Sequence, residues 1–215
     1  PSGCGKSTLL KAVGGFLAPS EGEIRIRGRE VDAPGPDRMM VFQEFEQLMP
    51  WKTAYQNVIF PMKVTRKFAS NEAAERAEAA IAKVGLTEFR DIYPHMLSGG
   101  MKMRVAIARA MALEPDILLM DEPFAALDAL TRRTMQQELL SLWDQLRFTV
   151  LFVTHSIEEA IIVGSRILVL SPHPGRVRAE LDAGNLDHNS IGTPEFGALS
   201  KRIQALLFDK ARHAP

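Results

Sequence analysis

Three kinds of feature are scarce in this chain of 215 residues: cysteine, an excess of one charge, and long apolar runs. The single cysteine, Cys4, excludes an internal disulfide framework and fits a reducing compartment. The 26 basic and 26 acidic residues cancel, so the composition indicates no broad surface for nucleic acid or anionic lipid. Every apolar run is far shorter than the ~20 residues that cross a bilayer. We therefore expect any membrane partner to be a protein.

The start of the chain follows the phosphate-loop pattern G-x-x-x-x-G-K-[ST], except that the first glycine would fall just before Pro1. We therefore expect the chain to be part of a longer protein. In this pattern two glycines let backbone N–H groups close on phosphate oxygens. Lys6 places a positive charge beside the β and γ phosphates, and the Ser7 hydroxyl ligates Mg²⁺. The pattern predicts that a nucleoside triphosphate is bound by Ser2, Gly3, Cys4, Gly5, Lys6, Ser7 and Thr8, with Cys4 as a small loop residue.

Residues 97–128 place a helix, a strand and paired carboxylates close together in the sequence. Ser98 precedes two glycines and the helical run 105–112, which predicts a helix start that presents backbone N–H groups to an anion. Residues 117–120 are all apolar, as expected of a parallel strand covered on both faces. That strand ends in Asp121 and Glu122, at the edge where open α/β sheets place ligands.

Two other predicted strands end in polar residues. The apolar run 38–42 delivers Gln43, and the run 148–154 presents His155. Alone, each would be an ordinary residue at a strand end. Because His155 follows one strand after the pair of acids, its position favours a functional role.

Periodicity and turn signals predict the remaining elements. We expect a helix over 71–84 capped by Ser70, and a helix after Ser156 whose capping box uses Glu159. The other predicted elements are strands at 23–27 and 166–170, a helix at 130–146, a loop at 182–194 and a helix within 195–212.

In this order the motifs resemble the nucleotide-binding subunit of ABC transporters, with the signature at 97–100, Walker B at 117–122 and the D-loop at 126–128. The segments 97–104, 120–132 and 171–177 look like the nitrate, sulfonate and taurine branch of bacterial importers. The resemblance covers residues 1 to about 180. It implies an α/β fold of the P-loop NTPase type, with a mainly parallel sheet core, an inserted helical subdomain and the N-terminal strands missing.

The resemblance also implies a division into domains. Residues 1–43 and 114–181 would form a RecA-like core, residues 44–113 a helical signature subdomain, and residues 182–215 a C-terminal loop and helix. The aromatic run 44–60 leaves two interpretations open. Its side chains pack the core of the helical subdomain, or some of them line a groove that receives a helix from the transmembrane subunit, as in ABC importers.

The active site implied by the resemblance is shared between two copies of the chain. The signature of one copy would hold the γ-phosphate of ATP bound to the other, through Ser98, Gly99 and Gly100. Met101 replaces the glutamine of the commonest signature, so only the backbone contacts are carried over. The resemblance implies that Glu122 acts as general base or orients the attacking water, and that Gln43 contacts Mg²⁺ or that water. Asp121 would contact Mg²⁺ through water. His155 would contact the γ-phosphate, and Asp128 would contact the nucleotide site.

The implied function is that of the ATP-hydrolysing subunit of an importer for a small anion such as nitrate, a sulfonate or taurine. Its expected partners are ATP with Mg²⁺, a second copy of the chain, transmembrane permease subunits and, indirectly, a solute-binding protein, with no nucleic acid. We expect it in the cytoplasm, on the inner face of the cell membrane.

The motifs bear on three alternatives to this function. An ATPase for export is excluded only weakly by the motifs. An ABC ATPase acting on DNA or ribosomes would carry a coiled-coil insertion or a second cassette, and this chain shows neither. A small-molecule kinase with a phosphate loop has no use for a signature motif.

Overall fold

The computed structural model describes residues 3–42, 47–172, 175–184 and 186–208. The chain forms two compact units, a smaller one from Pro1–Leu9 and Phe152–Pro215 and a larger one from Leu10–Leu151. None of the described helices is long and apolar enough to cross a membrane. The division into a RecA-like core and a signature subdomain stays a prediction.

A short hairpin follows the first helix. Helix α1 (Lys6–Val13) is followed by strands β1 (Arg25–Ile26) and β2 (Arg29–Glu30), which pair antiparallel. Arg27 and Gly28 both adopt positive φ, at 50° and 78°, and such a pair reverses the chain in a tight turn. The predicted strand over 23–27 is therefore only two residues long.

A three-stranded sheet contains a parallel pair of strands. β3 (Arg38–Val41) pairs in parallel with β4 (Ile117–Asp121), so that Val41 lies opposite Met120. β5 (Thr149–Val153) completes the sheet, in the order β3-β4-β5. The middle of β4 is fully buried, which confirms the expectation for an apolar central strand.

Three helices of the larger unit pack against one another: α2 (Ala54–Thr65), α3 (Ser70–Lys83) and α4 (Gly99–Met111). α2 starts with a capping box, since Thr53 Oγ1 accepts from the Gln56 N–H at 3.2 Å and Gln56 Oε1 accepts from the Thr53 N–H at 3.1 Å. The prediction that Ser70 caps α3 is wrong. Ser70 is the first helical residue, and Ala69 precedes it without a side-chain cap.

Helix α5 (Ala129–Leu146) follows β4 and precedes β5 along the chain, and its bounds are close to the predicted ones. Its buried side includes Met135, Leu139 and Leu142. The helix ends where Arg147 turns left-handed at φ 50°, and the Trp143 indole then donates to the Phe148 carbonyl at 2.8 Å. This contact ties the helix end to the start of β5.

The smaller unit contains α6 (Ile157–Val163), β6 (Arg166–Leu170), β7 (Val177–Asp182) and α7 (Pro194–Phe208). β6 and β7 form an antiparallel hairpin, and α7 packs on α6 and β6. Phe196 and Ile203 bury one side of α7. The predicted loop after Leu181 contains one helical turn, His188–Ser190.

Candidate functional site

The phosphate loop lies in the smaller unit and leads into α1. Gly3 and Gly5 have φ of 76° and 93°, a left-handed conformation that glycine adopts without strain. The first helical hydrogen bond runs from the Leu9 N–H to the Gly5 carbonyl at 2.8 Å. The N–H groups before Leu9 therefore precede the helical ladder, as in an anion-binding helix start. Ser2 is outside the described residues, and the side chains of Ser7 and Thr8 are exposed.

A second backbone segment lies against this loop. A β-carbon added at Gly175 would stand 1.9 Å from the Cys4 carbonyl oxygen, so only glycine fits. The turn that carries Gly175 is closed by reciprocal bonds at 2.8 Å: the Ser171 N–H donates to the Arg176 carbonyl, and the Arg176 N–H donates to Ser171 Oγ. Sequence reasoning missed this contact, because a glycine in a turn carries no signal of what it packs against.

His155 is exposed at the end of β5, in the same unit. Two hydrogen bonds hold the backbone that follows His155. The Ser156 N–H donates to Thr154 Oγ1 at 3.0 Å, and the Glu159 N–H donates to Ser156 Oγ at 3.3 Å. The buried Glu159 carboxylate accepts from the Thr154 hydroxyl. The Thr154 side chain therefore joins the Glu159 carboxylate to the Ser156 N–H, so that the predicted capping residues are linked across His155 through Thr154.

The predicted acids lie in the larger unit, at the carboxyl end of β4. Asp121 is the last residue of the strand, and Glu122 follows it with φ of 47°. Positive φ is uncommon for a residue with a β-carbon and concentrates at functional sites. Both side chains are half-buried.

The signature lies at the start of α4. Ser98 caps the helix, since its Oγ accepts from the Met101 N–H at 3.3 Å. Gly99 and Gly100 form the first turn, where the positive end of the helix dipole lies. A β-carbon on Gly100 would approach the Thr131 methyl at 3.0 Å, so the starts of α4 and α5 are in close contact.

Asp128 caps α5. Its carboxylate accepts from the Thr131 hydroxyl at 2.6 Å and from the N–H groups of Thr131 and Leu130 at 3.0 and 3.1 Å. The Thr131 hydroxyl contributes most to holding the pKa of Asp128 below its ordinary value. Asp128 thus remains ionised at neutral pH and is directed at its own helix.

A polar cluster joins α4 to the segment around Gln43, which is itself outside the described residues. The Gln47 side-chain amide makes two hydrogen bonds with the Phe42 backbone. Its Oε1 accepts from the Phe42 N–H at 3.2 Å, and its Nε2 donates to the Phe42 carbonyl at 2.8 Å. From α4, Arg109 donates to the Gln47 carbonyl at 2.6 Å and to its Oε1 at 3.3 Å. Burial lowers the pKa of Arg109. Sequence reasoning missed this contact as well, because it joins residues 62 positions apart.

The structure distributes the predicted residues over the two units. Lys6, Ser7 and His155 belong to the smaller unit, and Ser98, Gly99, Gly100, Asp121, Glu122 and Asp128 to the larger. A glycine-rich phosphate loop before a helix, together with acids at the end of a parallel strand, defines the class of P-loop nucleoside triphosphatases.

Comparisons with known proteins identify the family. The sequence profile of the ABC transporter family matches residues 1–125. A taurine import ATP-binding protein of Rhizobium johnstonii is 50% identical over 217 residues, covering 96% of this chain and 81% of that protein. A bicarbonate transport ATP-binding protein of Synechococcus elongatus is 48% identical over 174 residues, covering 80% and 62%.

A solved structure agrees with these sequence matches. It is a dimeric ATP-binding cassette in a post-hydrolysis state bound to ADP and Pi, with a TM-score of 0.70 and 34% identity over 86% of this chain and 84% of that one. The chain belongs to the ABC transporter family. It is an ABC-type ATPase.

Proposed function

We propose that this chain powers the import of a small anion, such as nitrate, a sulfonate or taurine. The observation that carries the proposal is that residues 97–132 lie in one unit. In that unit the start of the signature helix α4 contacts the start of α5, and β4 ends at the paired acids. The names of the relatives support the cargo class. One is a taurine import protein and the other a bicarbonate transport protein, and both solutes are small and carry an anionic group.

ATP and Mg²⁺ are proposed to bind at the phosphate loop. Among the described residues, no atom lies within 4 Å of a β-carbon added at Gly5, and this space is proposed to receive the phosphate oxygens. Lys6 would contact the β and γ phosphates. The oxygens of Ser7, Asp121 and Gln43 are of the kind that Mg²⁺ prefers, and the ion neutralises phosphate charge when bound.

Hydrolysis requires positioning and charge stabilisation more than covalent help from the protein. Glu122 is proposed to accept a hydrogen bond and a proton from the attacking water, which aligns the water with the γ-phosphorus. His155 would donate to a γ-phosphate oxygen. His155 is exposed, and the backbone beside it is held by the bond from the Ser156 N–H to Thr154 Oγ1. A donor on a fixed backbone needs little reorganisation to reach its acceptor.

Two copies of the chain are proposed to enclose two ATP molecules in a two-fold dimer. Ser98, Gly99 and Gly100 of one copy would contact the γ-phosphate held by the other, at the positive end of α4. The dimeric state of the solved relative supports this arrangement. Loss of the γ-phosphate would remove the charge that bridges the copies, so they would separate.

The permease is proposed to dock on the larger unit. Trp51 is 70% exposed and Val64 63%, and Phe60 lies one helical turn from Val64 on α2. This exposure favours the groove interpretation of the aromatic run over complete packing in the core. The chain would then work in the cytoplasm on the inner face of the membrane, with a solute-binding protein delivering cargo to the permease and no nucleic acid involved.

The test is ATP hydrolysis by the full-length protein reconstituted with its permease and solute-binding protein. Nitrate, taurine, other sulfonates and bicarbonate are added one at a time. We expect one of them to stimulate hydrolysis, which identifies the cargo. Steady basal hydrolysis that no anion stimulates would contradict the import of these anions.

A further inference from the structure

The loop that joins β4 to α5 carries Glu122 at one end and Asp128 at the other. Two turns shape it: the Ala125 N–H donates to the Glu122 carbonyl at 3.1 Å, and the Leu127 N–H donates to the Phe124 carbonyl at 3.2 Å. The side chains of Phe124 and Leu127 are buried and anchor the loop. The Leu127 carbonyl takes part in neither turn bond, and the Phe124 carbonyl keeps a second lone pair, so both can accept from further partners.

Arg132, in the first turns of α5, supplies those partners. Its Nε donates to the Phe124 carbonyl at 3.2 Å, and its Nη2 donates to the Leu127 carbonyl at 2.8 Å. The guanidinium is planar and rigid, so bonds to two carbonyls fix the distance between them. α5 therefore holds the loop at two levels, through Asp128 at the helix start and through Arg132 one turn later.

The conformation of Glu122 makes this support important. Its φ of 47° is one that a β-carbon disfavours, so neighbouring contacts must hold it there. Arg132 binds the carbonyl of Phe124, which lies within the turn from Glu122 to Ala125, and the carbonyl of Leu127, which follows that turn. Without the guanidinium, the loop loses the contact that joins its two turns to α5.

We propose that Arg132 is a positioning residue for ATP hydrolysis. It acts through the loop backbone, which it holds so that the Glu122 carboxylate stays placed for the attacking water and Asp128 stays at the start of α5. The proposal rests on the proposed role of Glu122. A displacement of about 1 Å in a reacting group lowers turnover by about a hundredfold, so an intermediate loss is expected from a loosened loop.

The experiment compares Arg132→Ala and Arg132→Lys with the control Arg133→Ala in the full-length protein. Arg133 is the next residue and is exposed, so the control removes the same charge from the same turn. We expect Arg132→Ala to lower kcat about tenfold or more, with KM for ATP within about twofold of the control. Arg132→Lys should recover only part of kcat, because an ammonium group lacks the planar fork.

Chemical rescue gives a readout that general weakening of the fold does not produce. Ethylguanidinium added to Arg132→Ala should raise kcat, and should raise it more than ethylammonium does, because only the guanidinium has the planar fork. A kcat for Arg132→Ala equal to that of Arg133→Ala would overturn the proposal. So would a joint loss of kcat, ATP affinity and Tm that ethylguanidinium leaves unchanged. Undiminished hydrolysis by Glu122→Gln would overturn the role of Glu122 itself, and the positioning role with it.

Discussion

Gly175 shows how one residue outside the phosphate-loop, signature and Walker B motifs constrains the nucleotide site. A β-carbon added at Gly175 would overlap the Cys4 carbonyl oxygen, and the Ser171–Arg176 bonds fix the conformation of the turn that carries it. Any side chain at this position would therefore push the turn and the phosphate loop apart.

Gly175→Ala should weaken ATP binding about tenfold, since overpacking of this kind typically costs about 1–3 kcal/mol. The measurement is the Kd for ATP by titration calorimetry. Gly197→Ala is the matched control, because a β-carbon there meets no atom of the described residues within 4 Å. Equal ATP affinity in the two variants would contradict the contact.

Helix α4 is the element that connects most of the described contacts around the signature. Ser98 caps its start, Arg104 pairs with Glu138 of α5 and donates to the Val84 carbonyl at 3.4 Å, and Arg109 holds Gln47. Burial raises the pKa of Glu138, although the Arg104 charge opposes the rise. The signature helix is thus tied to α3, to α5 and to the segment that follows β3.

Arg109→Met should lower the free energy of unfolding by about 2 kcal/mol, because it leaves the Gln47 carbonyl and Oε1 without the Arg109 donors. Urea denaturation of the full-length protein measures this loss. Lys102→Met, on the same helix, is the control for removing a positive charge. If both variants unfolded at the same urea concentration, the polar cluster would contribute nothing to stability.

At the scale of the whole molecule, the proposed dimer places each active site across two copies. The signature and the phosphate loop serve different ATP molecules in such a dimer. Damage to either motif can then be complemented by a partner that carries the other intact motif. This property distinguishes a shared site from one formed within a single chain.

Lys6→Ala and Ser98→Arg should each abolish hydrolysis when alone. An equal mixture should recover about a quarter of the wild-type rate, because half of the dimers are mixed and each has one site with both motifs intact. The measurement is steady-state phosphate release after the two variants are mixed. A mixture no more active than its components would contradict a shared site.

The local pattern of apolar and polar residues was sufficient to predict most of the helices and strands. The apolar runs of β4 and β6 and the spacing of leucines on α5 predicted those elements to within a residue or two. The motif order also predicted the family, which the comparisons confirm. Short-range signals succeeded because strand burial and helix starts depend on residues only a few positions apart.

What the sequence determined by itself was most of the elements, the phosphate-loop and signature motifs, and the ABC family; β2, β7 and the bounds of α2 were not predicted. Only the tertiary structure revealed that Gly175 packs on Cys4, that Arg109 holds Gln47, and that Arg132 binds the loop carbonyls. Two of these contacts join residues distant in the chain, and the third depends on a backbone path that no periodicity encodes. Such contacts form only when the folded chain brings a donor to a carbonyl, or one backbone against another.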